Sequence, residues 1–324
     1  MATRERPRSD REDRRSRPDC PSATRSDLWL AAPLRTGMTD DIFNESDTFD
    51  IGGERTVHRL GFGAMRLTGE NIIGRPDDEA EAKRVIRRAV DLGVDFIDTA
   101  DSYGPGVSER LLGEELDGDD AFVASKAGLL RHREGEWPRH GDPGFLHNQV
   151  LCSLDRLRTD TIDLYQFHRP DPDTDFEESV HAFAEMKDEG QIRHVGLSNV
   201  SVEQLETARE VVDIATVQNQ YNVGFRDHED VLAACEEYDV GFIPYGPFYT
   251  VDDDGVAGVL DDVAEAHDAS RRQVALAWIL AHSDVTLPIP GTSSVDHLES
   301  NVAASQLALS DDEMARLNDV DPQD

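Results

Sequence analysis

The sequence predicts an α/β fold, a (β/α)8 (TIM) barrel, on three observations. Short apolar runs alternate with helix-period segments, and eight strand-plus-helix units can be counted after residue 47. No shift in composition divides that region. A doubly wound open sheet would also alternate, but LGFGAM (60–65) lacks the third glycine and immediate helix that G-x-G-x-x-G requires. With 324 residues, 38% of them hydrophobic, the chain can fill one barrel of roughly 250 residues or more.

The elements follow in order. TFDI and ERTVHRL (48–60) read as an N-terminal β-hairpin around Gly52-Gly53. LGFGAM is the first buried strand, and DDEAEAKRVIRRAVDLG (77–93) a helix with apolar residues at helical spacing and a glycine stop. Strands follow at DFIDTA (95–100), AFVASKAG (121–128), IDLYQFH (162–168), IRHVGLSN (192–199), ATVQNQYN (215–222), VGFIPYGP (240–247) and TLPIPG (286–291). Helical patterns separate them, from SERLLGEEL (108–116) to SRRQVALAWILAHS (270–283) and a last one at SDDEMARLNDV (310–320).

Residues 1–37 differ in kind. They are rich in Arg, Asp, Pro and Ser without apolar periodicity, which predicts a disordered extension preceding a native start at Met38 and a barrel over 38–324. A basic arm for an acidic partner is the alternative there.

The net charge is −35, from 67 acidic against 32 basic residues. Such a field repels nucleic acid and anionic membrane, so neither is expected as a partner. Of the basic residues only Lys83, Lys126 and Lys187 are lysine. An acidic, lysine-poor surface suits a cytosol at molar salt, so a salt-adapted (halophilic) cytoplasmic protein is expected. No apolar run reaches the roughly 18 residues of a membrane span, and no signal peptide is visible. Cys20, Cys152 and Cys235 are scattered without metal spacing and read as buried free thiols; no metal is expected. No apolar exposed face stands out, so a monomer is expected.

Barrel enzymes place their chemistry at the C-terminal ends of the strands. There the sequence puts Asp98 and Tyr103, then Lys126, then His168. Taken singly, Asp98 and Lys126 could be a structural ion pair, His168 a satisfied core histidine and Tyr103 packing. Together they fit carbonyl reduction. A tyrosine, with a pKa near 10, can protonate a developing alkoxide if an adjacent ammonium lowers that pKa. Asp98 would hold Lys126, and a neutral His168 would orient the carbonyl oxygen.

DFIDTADSYGPGVSERLLGEEL (95–116), with ASKAG, DLYQFHRP, GLSN, VQNQYN and PIPGTSS in order, resembles the aldo-keto reductase family over about residues 48–319. The likeness points to the bacterial and archaeal branch that includes pyridoxal reductase-like enzymes. It implies Asp98, Tyr103, Lys126 and His168 as the catalytic tetrad, direct hydride transfer without metal, and NADPH as cofactor, with NADH the alternative. Ser198, Asn199 and Gln218 match positions that bond the nicotinamide carboxamide, and Tyr245 the aromatic that stacks on it. Gly63 and Met65 match the approach of the first strand. At the adenosine end Gly291 stands where some relatives have Lys, His297 where many have Arg, and Ser300 replaces a glutamate common before the Asn matched by Asn301. That leaves Thr292, Ser293 and His297 for the 2′-phosphate, helped by the N–H groups of a helix start. Considered alone, Ser198-Asn199 reads as a helix cap before SVEQL and Tyr245 as barrel packing.

The substrate, a small carbonyl compound, is expected among Trp137, Arg169 and Phe248, with Tyr249, His132 and His140 nearby. The chain's early end after the last helix predicts no long lid, hence an open pocket for aldehydes, including pyridoxal-like or sugar aldehydes. Two other readings compete: a lyase with Lys126 as Schiff base, and a nucleotide-sensing regulatory subunit with little turnover.

Overall fold

The computed structural model describes Phe43 and residues 47–118, 120–132 and 135–320; expectations for residues 1–37, Cys20 and Met38 lie outside these. β1 (Thr48–Ile51) and β2 (Arg55–His58) form the expected antiparallel hairpin. β3 (Phe62–Gly63), β4 (Phe96–Asp98), β5 (Phe122–Ala127), β6 (Ile162–Phe167), β7 (Ile192–Ser198), β8 (Ile214–Gln220) and β9 (Gly241–Tyr245) then pair in parallel in chain order. The helices α1 (Glu79–Asp91), α2 (Val107–Glu115), α3 (Pro143–Leu157), α4 (Phe176–Asp188), α5 (Val202–Arg209) and α6 (Glu229–Tyr238) connect successive strands. After β9 come α7 (Asp254–His267), α8 (Arg271–His282), α9 (Val295–Ala303) and α10 (Asp311–Asn318).

The expected eighth strand is present as a pairing partner but not as a regular strand. On one side Phe242 N–H donates to the Val285 carbonyl (2.8 Å) and Leu287 N–H to the Phe242 carbonyl (2.7 Å). On the other, Gly61 N–H donates to the Pro288 carbonyl (2.9 Å) and Gly63 N–H to that of Pro290 (3.3 Å). Residues 285–291 thus bridge β9 to β3 and close the (β/α)8 barrel. Pro288 and Pro290 have no N–H to give, so the ladder is one-sided there.

Two further boundaries differ from expectation. The strand predicted over 60–65 narrows to Phe62–Gly63 and continues as a 3-10 turn over Ala64–Leu67. Helix α7 was not anticipated; Gly255 and Gly258 lower its propensity, and its apolar stripe of Val256, Leu260 and Val263 is what buries it.

Side chains alternate across each strand, so every second residue enters the barrel. Phe96, Phe122 and Leu164, with Ile51 and Val57 of the hairpin, fill its lower interior. The inward positions above them are polar: Asp98, Lys126, Gln166, Ser198 and Gln218, all buried. The helices cover the outer faces through two further apolar clusters, one around Phe167, Phe183 and Trp278, the other around Phe62, Ile86 and Leu112. Cys235 is the buried thiol expected, with its pKa pushed up to about 12 by burial, whereas Cys152 is partly exposed. Among the described residues no helix is long and apolar enough to cross a membrane.

Candidate active site

A polar layer on top of an apolar barrel interior is possible only if each buried group finds a partner. Asp98 organises this one. Its Oδ1 accepts from Lys126 Nζ at 2.5 Å, and its Oδ2 from Gln218 Nε2 (2.9 Å) and Gln166 Nε2 (3.1 Å). Gly196 makes room for Gln166: a Cβ there would stand 2.7 Å from Gln166 Cγ and 2.5 Å from Thr216 Oγ1. Lys126 also donates to the Thr99 carbonyl (2.8 Å) and lies 3.5 Å from the Tyr103 hydroxyl.

Tyr103 and His168 meet edge-on, ring centroids 5.9 Å apart, and Ser102 Oγ lies 3.5 Å from His168 Nδ1. Burial, then the Lys126 and Arg169 cations, hold His168 well below the usual histidine range, so its ring is neutral. Burial pulls Lys126 down, with Asp98 opposing. Tyr103 departs from expectation. Burial, and after it the Asp98 carboxylate, push it well above the ordinary tyrosine range. The phenol is therefore held in its protonated form.

These groups open into a cavity of about 520 Å³. Asp98, Tyr103 and His168 border it with Gly63, Met65, Ser198, Asn199, Gln218, Tyr245 and Gly291. Trp137, Arg169, Phe248 and Tyr249 form further wall. Trp137 stands edge-on to Tyr103 at 6.3 Å and is stacked from behind by Arg131 at 3.6 Å, so it is both wall and anchor of its loop. The alternative cap role of Ser198-Asn199 is not used: Ser201 caps α5 in a capping box with Gln204. Asn199 instead takes a left-handed conformation (φ 59°), donating Nδ2 to Ser198 Oγ (2.9 Å) and the His168 carbonyl (3.1 Å). Its Oδ1 accepts from Tyr245 and from Arg169, both at 2.8 Å.

The sequence profile of the aldo/keto reductase family matches residues 59–250 and 253–322. The chain belongs to that family. It is 44% identical over 268 residues to an oxidoreductase of Schizosaccharomyces pombe, covering 82% of this chain and 88% of that one. It is 36% identical over 287 residues to pyridoxine 4-dehydrogenase of Escherichia coli, covering 85% and 98%. Among solved structures it superposes on the glycerol dehydrogenase of Gluconobacter oxydans with a TM-score of 0.78 at 27% identity, covering 86% and 95%. An aldo-keto reductase of Klebsiella pneumoniae in complex with NADPH gives 0.72 at 28%, covering 85% and 95%.

In this aldo/keto reductase the structure brings the four tetrad positions together, along with seven of the cofactor positions and the three pocket positions named from sequence. Four residues lie apart from the main cavity, at or near α9. Thr292 Oγ1 accepts from Ser294 N–H (3.1 Å), Ser294 caps α9 by accepting from His297 N–H (3.5 Å), and Asn301 is buried in α9. Ser293 lines an adjoining recess that shares Met65, Arg66 and Trp137 with the cavity. Sequence reasoning missed Gln166, Arg66, Leu129 and Arg272. Gln166 had a signal, a polar residue two before His168 on an apolar strand. Arg66 and Arg272 had none, because arginines are frequent in this chain. It also missed fully buried Glu109, which accepts from Ser125 (2.6 Å) and Arg156 (2.9 Å) behind the site.

Proposed function

We propose that residues 38–324 form an NADPH-dependent carbonyl reductase acting on an aldehyde or ketone in a salt-adapted cytoplasm. The observation that carries this is one cavity bordered by a protonated Tyr103, a neutral His168 and the Asp98 end of a buried Lys126 pair.

The residues fit the cofactor. Ser198 Oγ already accepts from Asn199, so its own proton is free to donate, and Gln218 gives its amide nitrogen to Asp98, leaving its oxygen to accept. A carboxamide needs one donor and one acceptor. Gly63 faces the site with backbone alone; a Cβ there would stand 2.6 Å from the Ile289 carbonyl. The dinucleotide when bound supplies the hydride. Tyr103 donates its phenolic proton to the carbonyl oxygen as charge develops there, with Lys126 3.5 Å away to stabilise the phenolate. His168 hydrogen-bonds the same oxygen, and Asp98 holds Lys126. Trp137 and Phe248 wall the cavity and would limit water around the carbonyl. In oxidation Tyr103 takes the proton back.

Likeness to pyridoxine 4-dehydrogenase and glycerol dehydrogenase supports pyridoxal-like and sugar-type aldehydes as the first substrates to try. The test is loss of reduced-nicotinamide absorbance with such aldehydes, with NADPH and NADH compared in molar KCl. Aldehyde-dependent NADPH consumption is expected. Tight cofactor binding with no consumption on any carbonyl would replace this reading by the sensor one.

A further inference from the structure

We propose that the carbonyl substrate carries an acidic group, a carboxylate or a phosphate, and that Arg169 binds it. The inference rests on the carbonyl-reductase reading of the same site and names its substrate class.

The chain carries 35 more formal negative than positive charges, yet its cavity is walled by three arginines, Arg66, Arg169 and Arg272. The one carboxylate on that wall, Asp98, is committed to Lys126, Gln166 and Gln218. Among the described residues none of the three arginines has a carboxylate partner, whereas Arg59, Arg88, Arg156 and Arg271 on other faces do. Acids are abundant enough that an unpaired arginine cluster in a concave site points to anionic ligands.

The three differ in placement. Arg66 follows β3, with its Cγ 3.6 Å from where a Cβ on Gly291 would stand, and Arg272 in α8 lies over the Phe248 ring at 5.3 Å. Arg169 directly follows His168 at the end of β6. Its Nη2 donates to Asn199 Oδ1, a neutral acceptor that leaves its charge uncompensated, and its Nε is buried without a partner. Arg169 is half-buried, and a guanidinium beside the reacting groups with no carboxylate partner is a ready site for an anion. A guanidinium held at one corner by an amide presents the remaining N–H groups in the fork that carboxylates and phosphates match. A substrate with its carbonyl at Tyr103 and its acid at Arg169 would be held at two points, which fixes the carbonyl's orientation.

The test compares kcat/KM within matched pairs at saturating NADPH. Succinic semialdehyde against butanal reads the carboxylate; glyceraldehyde 3-phosphate against glyceraldehyde reads the phosphate. The wild type is expected to prefer the acidic member of at least one pair by roughly tenfold to a hundredfold. Arg169→Met should collapse that ratio, and Arg169→Lys should restore part of it, with NADPH fluorescence confirming that each variant is folded and loaded. No acidic preference in either pair overturns the inference while leaving the reductase reading intact. A preference that survives Arg169→Met overturns it too, as does an unchanged ratio with both rates reduced, which would make Arg169 a brace for Asn199. No turnover of any aldehyde sinks both readings together.

Discussion

Lys126 Nζ and Asp98 Oδ1 meet at 2.5 Å across adjacent strands, with Lys126 fully buried and Asp98 nearly so. A buried pair of this kind is held by its geometry, and removing one member strands the other charge in a medium that cannot solvate it. Asp98→Asn should therefore destabilise the fold by about 3–5 kcal/mol. The double variant Asp98→Asn with Lys126→Met should recover part of the loss. Urea unfolding of the three proteins measures this, and equal stability of Asp98→Asn and wild type would contradict it.

His168 makes stability pH-dependent with a definite sign. Its pKa in the fold lies well below the 6.5 of a free histidine, chiefly through burial. Between those two values the unfolded chain binds a proton that the folded chain refuses. Its contribution is thus full above pH 6.5 and is lost as pH falls towards the folded value, by about 1.4 kcal/mol per pH unit at most. Unfolding free energies from pH 7.5 down to 5, taken as about that range, should fall less steeply in His168→Asn than in the wild type. Parallel curves would show that His168 is not the group responsible.

Much of this was legible in the sequence because strand alternation and strand-end chemistry are local signals. Asp98, Lys126 and His168 stand out as ionisable groups in apolar runs, and period two alone assigns them to the barrel interior. What was not legible depends on contacts distant in sequence. The last strand is irregular because Pro288 and Pro290 fall where donors would be needed, yet it still closes the barrel through β3, more than 200 residues earlier. The direction of the Tyr103 shift could not be read either, since it follows from burial and from the nearness of the Asp98 carboxylate. Arg66, Arg169 and Arg272 come from three separate segments, and only folding shows that they share one wall whose single carboxylate, Asp98, is already taken by Lys126, Gln166 and Gln218.

In the proposed cofactor mode, Ser198 and Gln218 offer a donor and an acceptor to the nicotinamide carboxamide. Ser198→Ala should weaken NADPH binding roughly tenfold, the worth of about one hydrogen bond. It should also lower the fidelity with which one ring face is presented. Fluorescence titration reads the first effect and deuterium-labelled cofactor the second. Unchanged affinity and stereochemistry would remove Ser198 from the cofactor site.

The acid excess predicts salt dependence. At about 0.1 M salt the Debye length is near 10 Å, and at 1 M near 3 Å, so self-repulsion of a chain with charge −35 is relieved mainly at high salt. Melting temperature and activity should both rise between these conditions. Full activity and an unchanged melting temperature after dialysis into low salt would contradict a salt-adapted protein.

The central claim is that Tyr103 is the proton donor, and Tyr103→Phe tests it most directly. NADPH oxidation by an aldehyde should fall by roughly 10²–10⁴-fold while the NADPH dissociation constant stays close to that of the wild type. Comparable turnover in Tyr103→Phe, with the cofactor still bound, would show that the proton comes from another group.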